Sequence, residues 1–237
     1  MKVVVIPDVH LKGWLFDRAK DILRSGRADR AVCLMDIPDD WDMEFQVELY
    51  RETYDRAIAF AKSFPDTLWC YGNHDISYPW GRLESGYSIC AEATVISKLE
   101  DFKNALQDKS LLAFVHRIDN VLFMHGGLTK SFVRGLDKKL LDADIDDVIA
   151  AVNSAPQEFI WNDDSPLWFR PQYIKKEMFR NDKFTQVVGH TPVDEIYEKS
   201  GVISTDVFST FPDGQQIGES AMAVIDTDSR ECEKVEV

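Results

Sequence analysis

Five short apolar runs, rich in β-branched residues, each stop at a cluster of aspartate, asparagine, histidine or glycine. Val3–Ile6 runs into Pro7-Asp8-Val9-His10, and Ala31–Met35 into Asp36-Ile37-Pro38-Asp39-Asp40. Thr67–Tyr71 runs into Gly72-Asn73-His74-Asp75, Val121–Met124 into His125-Gly126-Gly127, and Thr185–Val188 into Gly189-His190-Thr191-Pro192. Short apolar runs bounded by turn residues read as buried strands.

Helical patterns separate the first three. Trp14–Ser25 puts Leu15, Ala19, Ile22 and Leu23 on one face before Gly26, and Met43–Phe64 spaces Phe45, Leu49, Ala57, Ile58, Ala61 and Phe64 similarly. Strands alternating with helices predict βαβ units around a central sheet. Leu111–Val115 and Val121–Met124 flank Asp119-Asn120 and read as a hairpin, while Val202–Thr205 and Met222–Asp226 add strands near the end. Residues 130–180 give the weakest pattern. No repeat, linker or low-complexity segment interrupts the chain, so residues 1–237 are expected to form a single α/β domain of mixed sheets.

Lys and Arg number 27 against 41 Asp and Glu, a formal net charge of −14. That balance argues against broad charge-driven binding to nucleic acid or an anionic membrane. It leaves an anionic substrate open, because bound divalent cations reverse the sign of one pocket. No apolar run approaches the roughly 20 residues of a membrane span, and Lys2–Ile6 is too short and wrongly flanked for a signal peptide. Cys33, Cys70, Cys90 and Cys232 form no CxxC pair, and three lie in or near apolar runs. They read as reduced packing residues of a cytoplasmic protein.

In open α/β sheets, ligands collect at the carboxyl ends of the strands. Here that edge carries four of the chain's five histidines, with His116 left as an ordinary structural one. The mixture of Asp, Asn and imidazole suits manganese, iron or zinc rather than a thiolate zinc site. Asp8, His10, Asp36, Asn73, His125 and His190 exceed what one ion requires, which points to two divalent ions with Asp36 as the shared carboxylate.

The order D-x-H at 8–10, D-x-x-D at 36–39, GNHD at 72–75, H-G-G at 125–127 and GHTP at 189–192 resembles the calcineurin-like metallophosphoesterases. The phosphoprotein phosphatase (serine/threonine phosphatase-like) branch is the most similar, because Pro192 stands where the wider superfamily has a second ligand histidine. The resemblance implies a four-layer α-β-β-α sandwich with two mixed sheets. It places Asp8, His10 and Asp36 on one metal, and Asp36, Asn73, His125 and His190 on the other, manganese being the expected ion. It implies in-line attack on phosphorus by a hydroxide held between the ions, with His74 protonating the leaving oxygen and Asp39 orienting His74.

The pattern breaks in one loop. Met35 stands where the family has glycine, so a positive φ there costs energy. Pro38 stiffens the same loop. Asp40 replaces the arginine that grips phosphate, and an anion there repels substrate unless it turns away or meets another cation. Asp40 and Asp42 read as loop charges or as charges at the start of the helix predicted from Met43. Arg170, in a Trp-x-Arg element at 168–170 that resembles the one in bacterial members, is either the substitute phosphate ligand or a surface charge before Pro171, with Arg82 the weaker candidate. The leading reading is a phosphomonoesterase acting on a phosphoprotein or a nucleotide. Alternatives are a dinucleoside polyphosphate hydrolase or phosphodiesterase, where Tyr78–Tyr87 would stack a base or simply pack, and a metal-stabilised binding protein without catalysis.

Overall fold

The computed structural model describes residues 1–237. The chain begins β1 (Lys2–Ile6), α1 (Trp14–Arg24), β2 (Arg30–Cys33), α2 (Val47–Ser63) and β3 (Leu68–Cys70). Then come α3 (Asn73–Trp80), α4 (Glu92–Ala105), β4 (Leu112–Ala113), β5 (Val115–Ile118) and β6 (Val121–Met124). Three helices, α5 (Lys130–Leu136), α6 (Ile145–Asn153) and α7 (Gln157–Ile160), precede β7 (Thr185–Val188) and β8 (Tyr197–Lys199). The chain closes with β9 (Val202–Ser204), β10 (Ala221–Asp226) and β11 (Cys232–Glu236).

Two mixed sheets result, in the orders β11-β10-β1-β2-β3-β4 and β5-β6-β7-β9-β8. In the first, β1 to β4 run parallel, Val4 lying opposite Ala31 and Cys33 opposite Trp69, and β10 pairs antiparallel with β1. In the second, β6, β7 and β9 are parallel, with β5 and β8 antiparallel at the edges. Side chains alternate across the second sheet as strand geometry requires. Val121, Phe123 and Val187 join a 48-residue core with Val3, Val5 and the α1, α2 and α4 side chains. Leu122, Met124 and Val188 join an 18-residue core with Phe132, Val148 and Val152 of α5 and α6. Both faces of each sheet are therefore covered, giving the α-β-β-α sandwich. Val3–Ile6 is uniformly apolar for the same reason, since a central parallel strand has no wet face.

Three sequence expectations need correction. The hairpin around Asp119-Asn120 is formed by Val115–Ile118, not Leu111–Val115; Leu112 instead pairs with Trp69 in the other sheet. The chain changes sheets at Phe114, where the Asn153 side-chain oxygen accepts from the Phe114 and Val115 amides at 3.0 and 2.9 Å. The second helix begins at Val47 rather than Met43, because Asp42 is left-handed (φ 59°) and Met43 N turns back to Asp40 O at 3.3 Å. Cys33 and Cys70 are packed in the core as read, but Cys90 is exposed.

Candidate active site

The loops leaving β1 and β2 stay zipped beyond the strands. Val9, His10 and Leu11 amides donate to the Met35, Asp36 and Ile37 carbonyls at 2.9, 2.7 and 3.0 Å. To hold this path, His10 (φ 41°), Met35 (58°), Asp36 (43°) and Asp39 (66°) all become left-handed, as does His190 (63°). Such residues cost roughly 1–3 kcal/mol each and persist where surrounding structure over-determines them. Met35 thus takes the positive φ that glycine would adopt freely, its side chain fully buried in the core.

Two motif glycines are required by close approach. A Cβ on Gly72 would lie 2.0 Å from Asp36 Oδ1, and one on Gly189 would lie 1.9 Å from Asp8 Oδ1. The glycines of GNHD and GHTP make room for the carboxylates of other strands. Main-chain donors then fix those carboxylates: His74 N donates to Asp36 Oδ1 at 2.9 Å, and His190 N to Asp8 Oδ2 at 2.8 Å. Buried Asp75 accepts from the Gly72 and Ile37 amides at 3.2 and 3.1 Å, pinning the start of α3 to the loop after β2.

The structure gathers the predicted ligands into two groups. Asp8, His10 and Asp36 form one, and Asp36, His125 and His190 the other, with ligand atoms in each lying within 4.8 Å of one another. Asp36 belongs to both. His125 Nδ1–H donates to Leu34 O at 2.9 Å, which leaves at most one proton on Nε2. Yet Nε2 faces Asn73 Oδ1, His190 Nδ1 and Asp36 Oδ2, each at 3.1 Å. His10 Nδ1–H is likewise committed to Asp39 O at 2.8 Å, turning Nε2 toward Asp36. Buried Asp8 Oδ1 and His190 Nε2 have no hydrogen-bond partner at all. Orphaned lone pairs among buried carboxylates are unfavourable unless a cation meets them, so the donor set fits divalent metal ions.

Charge interactions follow the same logic. Burial, then Asp206 and Asp36, pushes the Asp8 carboxyl well above its usual range. Burial opposes ionisation of Asp36 too, but His125 and His74 draw it well below normal. Burial disfavours the His74 imidazolium, yet the Asp36 charge and the bond to Asp39 carry it up to about 9.

His74 Nδ1 meets Asp39 Oδ2 at 2.9 Å, and the other Asp39 oxygen accepts from Tyr78 OH at 2.5 Å and Tyr50 OH at 3.2 Å. His74 and Asp39 line a cleft of about 270 Å³ with His10, Asp36, His190 and Arg170. Arg170 Nη1 donates to His190 O and, at 3.3 Å, to Thr191 Oγ1, which holds the guanidinium at the cleft wall. Arg82 lies outside the cleft lining, its guanidinium 6.0 Å from the centre of the Trp161 ring. His116 is buried, its Nε2 3.1 Å from Trp69 O and away from the cleft.

The family model for calcineurin-like phosphoesterases matches residues 1–212. The chain belongs to this family. It is a phosphoesterase, and thus a hydrolase of a metal-dependent family. Among solved structures, a cold-active protein-tyrosine phosphatase of a psychrophile Shewanella sp. superposes with a TM-score of 0.62 at 17% identity, covering 99% of this chain and 80% of that one. A hypothetical protein from Pyrococcus horikoshii OT3 gives 0.50 at 12% identity, covering 100% and 87%. At these identities the likeness establishes the sandwich fold. A search of curated proteins returned no match. No helix is long and apolar enough to cross a membrane.

Against the phosphoesterase pattern, the structure resolves the Asp40 anomaly. Asp40 is neither solvated nor at a helix start: Lys12 Nζ meets its Oδ2 at 2.7 Å and Thr210 Oγ1 its Oδ1 at 2.7 Å. Its charge is met by a cation from the β1 loop. Within Tyr78–Tyr87 the two end rings stack on each other at 4.1 Å beneath Asp39 and Trp80 packs near Phe114 and Trp161, so none of the segment's aromatic rings lines the cleft. Several cleft residues are not marked by the sequence motifs, the one charged member among them being Asp206. Buried Asp206 lines the cleft and accepts from Ser209 N and Oγ at 3.3 and 2.7 Å. Its signal was a sixth apolar run, Val202–Thr205, ending at a carboxylate.

Proposed function

We infer that this phosphoesterase is a phosphomonoester hydrolase with a dinuclear metal centre, built in one domain over residues 1–237. The observation that carries the reading is Asp36, common to both ligand groups, with the His74–Asp39 pair beside it. Asp8, His10 and Asp36 would hold one ion, and Asp36, Asn73, His125 and His190 the second, with manganese the expected metal. Bound there, divalent ions neutralise phosphate charge and lower the pKa of water enough to supply a nucleophile at neutral pH.

The chain's own residues do the rest. His74, its imidazolium form favoured by the bond to the Asp39 carboxylate, gives its proton to the leaving oxygen as the P–O bond breaks. Asp39 holds the imidazole in that orientation, and Tyr50 and Tyr78 hold Asp39. Arg170 grips a non-bridging phosphate oxygen from the cleft wall. An oxygen leaving group that needs a proton is what phosphorylated serine, threonine or tyrosine presents. Dinucleoside polyphosphates, larger and carrying several charges, fit less well. The cleft is near the lower end of the roughly 300–1,000 Å³ usual for ligand sites, and Arg170 is its only Lys or Arg beside Asp39, Asp40 and Asp206.

A substrate panel tests this on manganese-loaded protein: phosphopeptides, p-nitrophenyl phosphate, bis-p-nitrophenyl phosphate and diadenosine tetraphosphate. Turnover of the monoesters is expected. Hydrolysis of the diester or dinucleotide with inert monoesters would overturn the assignment.

A further inference from the structure

The cleft that holds His74 and Arg170 is walled at one side by Trp41, Phe211 and Pro212. Trp41 is 47% exposed and Phe211 49%, so about half of each large apolar side chain stands open to solvent beside the reacting groups. They are among the few apolar residues in a cleft lined mainly by polar ones, so they set the character of this wall. Trp41 Nε1 donates to Thr210 O at 2.9 Å, and Trp41 N to Asp40 Oδ1 at 2.9 Å. Asp40 also holds Thr210 Oγ1 and Lys12. Residues 40–41 and 210–211 thereby form one cross-linked wall, the Trp41 N–H satisfied and its ring fixed in place. A ring pre-positioned this way binds with little ordering cost.

The local charge favours an uncharged leaving group. Lys12 is committed to Asp40 and is not among the cleft residues, so no free cation on this wall meets a second phosphate or a carboxylate. We propose that Trp41 and Phe211 form an aromatic shelf that selects aryl monophosphates, phosphotyrosine being the protein side chain of that chemistry, and that Asp40 serves as the clamp of this shelf. The proposal rests on the phosphomonoesterase reading. In the reaction, water oxygen bonds to phosphorus, the P–O(aryl) bond breaks, and the phenolate oxygen takes the His74 proton, releasing phosphate and a phenol.

Binding of two non-hydrolysable probes to the manganese-loaded full chain tests the shelf without relying on turnover. By calorimetry, phenylphosphonate should bind at least about tenfold more tightly than methylphosphonate. Trp41→Ala should bring that ratio close to one, while Trp41→Phe, which keeps a ring but loses the Thr210 bond, should retain most of it. Phe211→Ala, at a side chain that belongs to neither hydrophobic core, should lower the ratio independently if Trp41→Ala fails to fold. On peptides of one sequence, kcat/KM for phosphotyrosine over phosphoserine should exceed about tenfold and fall in Trp41→Ala through KM. Equal binding of the two phosphonates by the wild type, or equal weakening of both by Trp41→Ala, would overturn the shelf. The expected binding ratio with no monoester turnover would support ring selection and sink the phosphomonoesterase reading instead.

Discussion

Replacing His74 by asparagine separates proton donation from metal binding. The His74 ring is bonded through Nδ1 to Asp39 Oδ2 at 2.9 Å, and only its main-chain N–H touches the shared ligand Asp36. A positioned acid contributes about 10²–10⁴ in rate, or roughly 3–5 kcal/mol, so His74→Asn should lose that much kcat. Asp39→Asn keeps the carbonyl that orients His10 and removes only a charged hydrogen bond worth about 1.5–3 kcal/mol, a loss of roughly 10- to 150-fold. Because Asp39 acts through His74, the double variant should be no slower than His74→Asn alone. The loss should be larger with phenyl phosphate than with p-nitrophenyl phosphate, whose leaving group needs less protonation. Steady-state kinetics on both substrates, beside elemental analysis of each variant, measures all of this. Multiplying losses in the double variant, equal losses on the two substrates, or depleted metal in His74→Asn would refute the assignment.

Buried His116 predicts an acid-sensitive fold. Burial lowers its imidazole from 6.5 to about 4, so between these values the unfolded chain binds a proton that the folded chain does not. Its stabilisation is complete above about pH 6.5 and lost as pH falls through about 4, with about 2–3 kcal/mol gone by pH 4.5; denaturant unfolding at pH 7 and 4.5 should show this slope and His116→Gln should flatten it. Restoring the family residue with Asp40→Arg should not lower KM, because it sets a second cation against mostly buried Lys12 and strands Thr210; a loss of about 1–3 kcal/mol is expected in thermal unfolding. Gly189→Ala should displace Asp8, so metal content by elemental analysis should fall and turnover drop by more than about 100-fold; full metal loading would show that the close approach is dispensable.

The strand ends were legible because each apolar run stops abruptly at residues that have no place in a core. Motif glycines 72 and 189 carried information for a steric reason now visible, since each makes room for a carboxylate from a different strand. Other elements were hidden by competing signals. Helix α3 contains Pro79 and only eight residues, and it is held by the Asp75 cap and left-handed Gly81 rather than by an apolar stripe. Helix α4 does carry its buried face at Val95, Leu99 and Phe102, but the turn-rich stretch before it breaks the pattern. The Lys12–Asp40 pair spans 28 positions and the Trp41–Thr210 bond 169, distances over which no local pattern speaks. Asp40 therefore read as an unmatched anion when the fold had already supplied its cation.

Anomalous diffraction from crystals grown with manganese tests the shared ligand most directly. The account predicts two peaks about 3.5–4 Å apart with Asp36 touching both, His10 on one side and His125 with His190 on the other. A single peak, or two peaks of which Asp36 reaches only one, would contradict it.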